Sequence, residues 1–368
     1  MKQKSLISAI LLIICVMANS QDKTYMNVQV GENEYKSFEV TPDLKVTWDS
    51  EKQEAEVSKP AVSNGSATGI AEMKATLTGK ITSAGNGEIT ECGFYWGTTD
   101  NPSFKVICDA ASDTLVYTLK GLKGNVKYYY RTFARNSKGE TCGEVQSFKT
   151  KGLTQSSPAG TIGILEGIEA IVVDLPAVPA SEQVKGWPNW NGSTTGTTYD
   201  AKKVAIATMN YGATSIDEAP GCYGMYTTVE DVIAPFTYFT SDTIQWYVPT
   251  LAEYTAFHKA NYAKANISAT ADKAAGVLFT IGTDENQNTL FFPNAGNMGK
   301  KTDGTKSRTV QDLGTGCSML TSTVMGPGVA SSGRKAWIEY PGSNGCGYPD
   351  YSKYFICPVR LFGKLPSE

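Results

Sequence analysis

Glu253 and the chain's single histidine, His258, share the stretch "WYVPTLAEYTAFHKA", Trp246 to Ala260. A carboxylate beside an imidazole is the usual equipment for general acid–base chemistry near neutral pH. The neighbouring residues point elsewhere. Thr250-Leu251-Ala252-Glu253 is a capping box, in which the Thr hydroxyl accepts from the N–H three residues on and the Glu reaches back to the Thr N–H. Pro249 gives a stiff entry, and Leu251, Tyr254, Phe257 or His258, and Tyr262 recur at the three- and four-residue intervals of a buried helix face. No Ser, Cys or carboxylate can be paired with His258 from spacing, so no catalytic residue is assigned.

Two other stretches set rings among glycines and amides. "GWPNWNG" brings Trp187 and Trp190 beside Asn189 and Asn191, and "YPGSNGCGYPDY" brings Tyr340, Tyr348 and Tyr351 together. Flat rings stack on sugar faces while amides take the hydroxyls, so both are candidate glycan-binding loops. The competing reading is that such large aromatics fill a core. Eight cysteines are present, and seven follow the first twenty residues: Cys92, Cys108, Cys142, Cys222, Cys317, Cys346 and Cys357. No CxxC occurs and one histidine cannot build the usual zinc site, so neither a metal nor a cofactor is expected. An odd number leaves at least one thiol free or bridging two chains.

The elements that must hold these residues begin after an export signal. Lys2 and Lys4, an apolar run from Leu6 to Met17 and the small residues before Gln21 have the three-part layout of a signal peptide over 1–20. That run is too short to span a bilayer, and no later segment competes with it, so no transmembrane segment is expected. Lipid anchoring at Cys15 is disfavoured by the bulky Ile14 before it. The expected address is extracellular or the cell surface, outer-membrane associated, with the periplasm as the other option. Loss of Lys2 and Lys4 moves the net charge from -3 to -5, which gives nucleic acid no basic surface.

Residues 21–55 read as a short β-hairpin leader around Gly31-Glu32-Asn33 with a third short strand, and 56–150 as strands throughout. "MKATLTGKITS" turns Ala75, Leu77, Gly79 and Ile81 inward. If the "GTTDNPS" loop closes a hairpin near Asp100 and Asn101, Trp96 faces Phe104, Phe94 faces Val106, and Cys92 faces Cys108. That pair is a candidate disulfide, because cross-strand Cβ atoms lie about 4.5–5.5 Å apart. Cys142, two strands from Cys92, is the expected unpaired thiol. Residues 151–160, "KGLTQSSPAG", have linker composition. Long loops then follow to the end of the chain, with Cys222, Cys317, Cys346 and Cys357 available as staples. Residues 276–293 read as two strands and "YFICPVRLF" as another.

Two resemblances carry these segments further. "LKGLKGNVKYYYRTFARNSKGETCGEVQSFKT", Leu119 to Thr150, resembles the second half of a fibronectin type III domain, which implies an immunoglobulin-like all-β sandwich and little about function. Beyond the linker, "VAIATMNYGATSIDEAPGCYGMY", "WYVPTLAEY", "TLFFPNAGN", and "STVMGPG" through "YFICPVRLF" occur in the order found in the exported bacterial domains called FISUMP. This resemblance covers about 161–368 and implies an α+β, C-type-lectin-like fold rich in loops, shared with formylglycine-generating enzymes. The chain departs from its relatives at Met319-Leu320-Thr321-Ser322, where they carry an aromatic pair. It also lacks the closely spaced cysteine pair and the Arg-Gly-Gly-Ser-Trp segment of the enzymes, and the sugar-binding signatures of calcium-dependent lectins. The expected function is therefore non-catalytic: adhesion to an extracellular ligand, a glycan or a surface protein. A structural role in a self-assembling surface fibre is the alternative, and an enzyme ranks last.

Overall fold

Strict alternation in the Met73–Ser83 stretch commits one strand face to a core, and the strands around it supply the opposite wall. The computed structural model describes residues 24–31, 34–40, 56–179, 198–225, 246–300, 306–311, 313–324, 334–339, 346–347, 350–351 and 355–367. The chain forms two compact units, Met1–Glu56 and Val57–Glu368. In the first, β1 (Thr24–Gly31) and β2 (Glu34–Val40) make the expected antiparallel hairpin, with an irregularity between Gln29 and Gly31. The third strand expected there lies outside the described residues.

The second unit opens with a sandwich of two antiparallel sheets. One sheet has the order β3 (Ala61–Asn64), β4 (Lys74–Ser83), β7 (Thr114–Lys120). The other runs β10 (Gln146–Lys149), β8 (Lys127–Asn136), β5 (Glu91–Gly97), β6 (Phe104–Ile107), with β9 (Gly139–Cys142) also on β8. Ala75, Leu77 and Ile81 from one sheet meet Phe94, Tyr130 and Ala134 from the other in a single core. Gly79 is required at its inward position, because a Cβ there would come 2.4 Å from Thr132 Oγ1. At the turn into β8, the Lys123 N–H donates to Tyr128 Oη at 2.9 Å. This is a tyrosine corner, which pins the crossover between the sheets.

The rest of the unit is built on a five-stranded antiparallel sheet in the order β11 (Ile162–Leu165), β12 (Ile168–Leu175), β13 (Lys202–Ala207), β25 (Phe362–Lys364), β14 (Trp246–Tyr247). The run "AIVV", Ala170 to Val173, is buried from both sides, and the sheet has a core on each face. One face carries helix α1 (Leu251–Lys259) and the strands β16 (Gly276–Ile281) and β17 (Asn288–Pro293), with Phe257, Phe279 and Phe292 in mutual ring contact. β15 (Ala263–Ile267) lies beside β16 as the outer strand of that three-stranded sheet. The remaining strands are β18 (Asn297–Lys300), β19 (Lys306–Gln311), β20 (Cys317–Val324), β21 (Arg334–Glu339), β22 (Cys346–Gly347), β23 (Asp350–Tyr351) and β24 (Phe355–Ile356).

Two expectations are corrected. Residues 151–160 are a packed joint rather than a flexible linker: Leu153 is 2% exposed, the Gln155 N–H donates to Pro366 O at 3.0 Å, and Ser157 Oγ donates to Glu72 at 3.0 Å. The sandwich and the following sheet also touch directly. The Gly124 N–H donates to Ile162 O and the Ile164 N–H to Gly124 O, both at 2.9 Å, and Lys123 pairs with Glu169 while Lys74 pairs with Glu285. Gly163 lies so close to Gly124 that a Cβ would sit 2.9 Å from its Cα. The closing "YFICPVRLF" is likewise not one strand: β24 ends at Ile356 and β25 begins at Phe362. Pro358 has no N–H for a ladder, and Arg360 turns into the core.

Candidate functional site

The Glu253 joint forms as expected and then does more. Thr250 is extended, the Glu253 N–H donates to Thr250 Oγ1 at 3.2 Å, and the Thr250 N–H donates to Glu253 Oε2 at 2.7 Å, completing the capping box. Oε1 of the same carboxylate accepts from Tyr247 Oη at 2.7 Å and from Lys202 Nζ at 2.5 Å. A carboxylate has about four lone-pair sites, and these donors with Thr250 Oγ1 at 3.0 Å occupy them. Glu253, 2% exposed, is thereby a spent group rather than a base. Burial, then the negative Glu253, pushes the Tyr247 and Tyr199 phenols well above their ordinary range. His258 is half-buried on the last turn of the helix.

Arg360 is the second hub, at 1% exposure. Its Nε donates to Asn210 Oδ1 at 2.8 Å, its Nη1 to Ala207 O at 3.0 Å and Thr208 O at 2.7 Å, and its Nη2 to Phe291 O at 2.8 Å. The guanidinium lies 4.5 Å from the Phe292 ring centroid. Burial lowers its pKa to about 10, which still leaves the charge in place at neutral pH. The motifs "ATMNYGA", "LFFP" and "VR", separate in sequence, thus meet on one side chain. Tyr254 of α1 donates to Arg360 O at 3.3 Å, which ties the helix to the same point.

A cleft of about 930 Å3 opens beside Lys202 of the Glu253 hub, between the end of β12 (Asp174, Leu175, Pro176), the start of β13 (Ala201, Lys202), the residues after α1 and the β16–β17 turn. Its size is within the range of ligand pockets, about 300–1,000 Å3. Asn261, Asn286, Gln287, Thr280 and Thr283 line it, and their side chains make no hydrogen bond among the described residues. Asn261 is placed by the helix end: with φ at 55°, it takes the left-handed position just past the cap that Gly or Asn favours. Tyr262 is fully engaged, donating to Asp174 O at 2.9 Å and accepting from the Asp174 N–H at 3.0 Å, and burial pushes its pKa up to about 12. Unengaged amides and hydroxyls around an apolar wall of Pro158, Ala159, Leu175 and Pro176 can bind a neutral polyhydroxyl ligand. Asp174, Lys202 and Lys259 also line the cleft. No group of ligating side chains that could hold a metal occurs among the described residues.

Of the sequence-derived site residues, Trp187, Asn189, Trp190, Asn191, Tyr340 and Tyr348 lie outside the described residues, and Tyr351 is described only as backbone in β23. Pro176 and Ala201, on either side of the stretch that carries the two tryptophans, both line the cleft. The cleft residues themselves were missed: none belongs to a motif, and only Asn261, just past the last helical turn, carried a readable signal.

The hairpin register is as expected, Phe94 opposite Val106 and Trp96 opposite Phe104. The Cys92–Cys108 bridge is nevertheless absent, and both stand as free thiols. Cys108 N–H donates to Cys92 O at 2.9 Å, so they occupy a hydrogen-bonded site, the wider kind of antiparallel pair. Their sulfurs turn to different carbonyls, Cys92 to Asp109 O at 3.7 Å and Cys108 to Val116 O at 3.8 Å. Cys142, opposite Phe133, is on the outer face of the sheet, whereas Cys92 is in the core. Cys222 and Cys357 are buried free thiols, and Cys317 is buried as well.

No family model matches the chain, and no match was found among curated proteins. Among solved structures, the chain is similar to the solution structure of the sensor domain of the anti-sigma factor RsgI4 of Pseudobacteroides cellulosolvens. The identity is 19%, the match covers 25% of this chain and 76% of that one, and the TM-score is 0.21.

Proposed function

We propose that this is an exported, non-catalytic binding protein of the cell surface, in which a fibronectin type III-like sandwich holds a FISUMP-type, C-type-lectin-like body that recognises an extracellular glycan. The observation that carries the reading is the cleft lined by five amide and hydroxyl side chains that make no hydrogen bond among the described residues, beside an apolar wall. Support for the domain assignments comes from the three- and five-stranded sheets with their tyrosine corner, and from the convergence of the motifs on Arg360. The rigid joint supports a presenting role, since a locked spacer keeps a terminal site at a fixed distance. A glycan array tests this directly. The purified chain is expected to bind a restricted set of neutral sugars and to lose that binding with Asn261→Gly and Gln287→Ala. Asn261→Gly preserves the left-handed backbone while deleting the amide. Absence of binding, or binding that both variants retain, refutes the glycan reading.

A structural role in a surface assembly is favoured by one observation. The outer strand β15 is exposed along Ala263–Asn266, and its far edge has no strand partner among the described residues. Such an edge is a template for another chain. Concentration-dependent polymerisation in light scattering supports that role, and a monomer at all concentrations excludes it.

A further inference from the structure

Arg131 stands on the outer face of the sandwich, on β8 opposite Tyr95 of β5. The cations along that face are treated very differently at its two ends. At one end Arg135 pairs with Glu140 at 2.8 Å and Lys105 with Glu91 at 2.6 Å, and Lys105 also covers the Phe133 ring at 4.3 Å. At the other end Lys127 lies directly opposite Lys149 in the β8–β10 register, and neither has an ion pair among the described residues. Like charges at opposed strand positions repel unless an anion sits between them. Lys127 rests over the Tyr129 ring at 4.8 Å, and the Arg131 guanidinium over Tyr95 at 5.3 Å. Arg131 Nε is shielded from water and has no hydrogen-bond partner.

We propose that this end of the face, Lys127, Tyr129, Arg131, Tyr95 and Lys149, binds a carboxylated polysaccharide. The Arg131 fork takes one carboxylate in the two-pronged geometry that suits guanidinium, and a second sits between Lys127 and Lys149. Four residues along β8 separate these two positions by about 13 Å. Tyr129 lies between them as a ring on which a sugar face stacks, a feature that an acidic peptide would leave unused, while Tyr95 stands level with Arg131, its hydroxyl donating to Glu140 at 3.2 Å. Gly97, opposite Tyr129, puts no side chain in the way. The surface belongs to the sandwich and is independent of the C-terminal cleft.

Hyaluronan, a uronate polymer without sulfate, is a suitable probe, measured by calorimetry on the full chain beside neutral dextran and poly-glutamate. Binding to hyaluronan alone is expected, weakening with salt and falling by about tenfold or more in Arg131→Ala. Arg131→Lys should retain part of it. Arg135→Ala and Asn261→Gly should leave it unchanged, the latter separating this surface from the cleft. Unaltered thermal unfolding of the Arg131 variants shows that the fold is intact. Failure to bind hyaluronan, equal affinity in Arg131→Ala, or Arg131-dependent binding of poly-glutamate as tight as hyaluronan would each overturn the proposal.

Discussion

Removal of the Arg360 side chain should be among the most damaging single changes in the second unit. Arg360→Ala takes one donor from each of four buried acceptors, Asn210 Oδ1 and the carbonyls of Ala207, Thr208 and Phe291. Three of these are backbone groups, so the exchange differs from replacing a whole buried ion pair by apolar residues, which can be neutral. A buried polar group left unpaired costs about 1–3 kcal/mol. Partial relaxation and entry of water will reduce the sum, so a loss of about 4 kcal/mol is expected, a large part of the roughly 5–15 kcal/mol that holds a domain folded. Arg360→Lys keeps a charge but loses the fork, and should cost about half as much. Urea unfolding followed by tryptophan fluorescence can measure this, because Trp246 is packed in the core on the other face of the same sheet. The sandwich, with its own core, should unfold at its usual midpoint. An Arg360→Ala protein within about 1 kcal/mol of the parent would refute the assignment of Arg360 as the hub on which the motifs meet.

Glu253→Gln should cost about 2 kcal/mol, because the amide keeps one acceptor for Thr250 or Tyr247 but loses the charge-assisted bond to Lys202; the same urea titration reads it. Gly163→Val should break the joint, since its Cβ would sit 2.9 Å from Gly124 Cα, and trypsin should then cut after Lys151 faster than in the parent. The joint should also loosen in acid. The hydrogen bond from Lys74, then the charges of Lys74 and Lys120, hold the Glu285 carboxyl below its usual range. A depressed carboxylate contributes stability above its unfolded pKa and loses it as pH falls through the folded one, so proteolysis at the joint should rise below about pH 4. Glu285→Gln should flatten that rise. Thiol titration of the native protein at pH 7 should be slow, because burial pushes Cys108 up to about 11 and raises Cys142. Both should speed up as pH rises, while Cys92, Cys222 and Cys357 react only after unfolding. Fast reaction of a buried cysteine in the native protein would contradict the packing described.

What could be read from the sequence was local or strictly periodic. The capping box at Thr250 and Glu253 depends on residues three apart, and the Phe94–Val106 register follows from a period of two, so both were available without the fold. The Lys202–Glu253 pair joins residues far apart in the chain, and nothing in either neighbourhood announces the other. Arg360 was placed in a strand because its apolar neighbours look like one, whereas its side chain is needed in the core. Composition also misled at 151–160. Gly, Ser and Pro describe backbone freedom, but not the partners at Glu72 and Pro366 that remove it. The cleft was invisible for a similar reason: its polar side chains come from turns and strand ends that only the fold brings together.

The central claim, a glycan site in the cleft of the C-terminal body, is tested most directly by mapping where a bound sugar lands. Amide chemical shifts of the isotope-labelled chain, followed during titration with the strongest sugar from the array, give that map. Changes concentrated at Ala260–Ala263 and Gly282–Gln287 are predicted. Changes confined to residues outside the cleft, or none at saturating sugar, would contradict it.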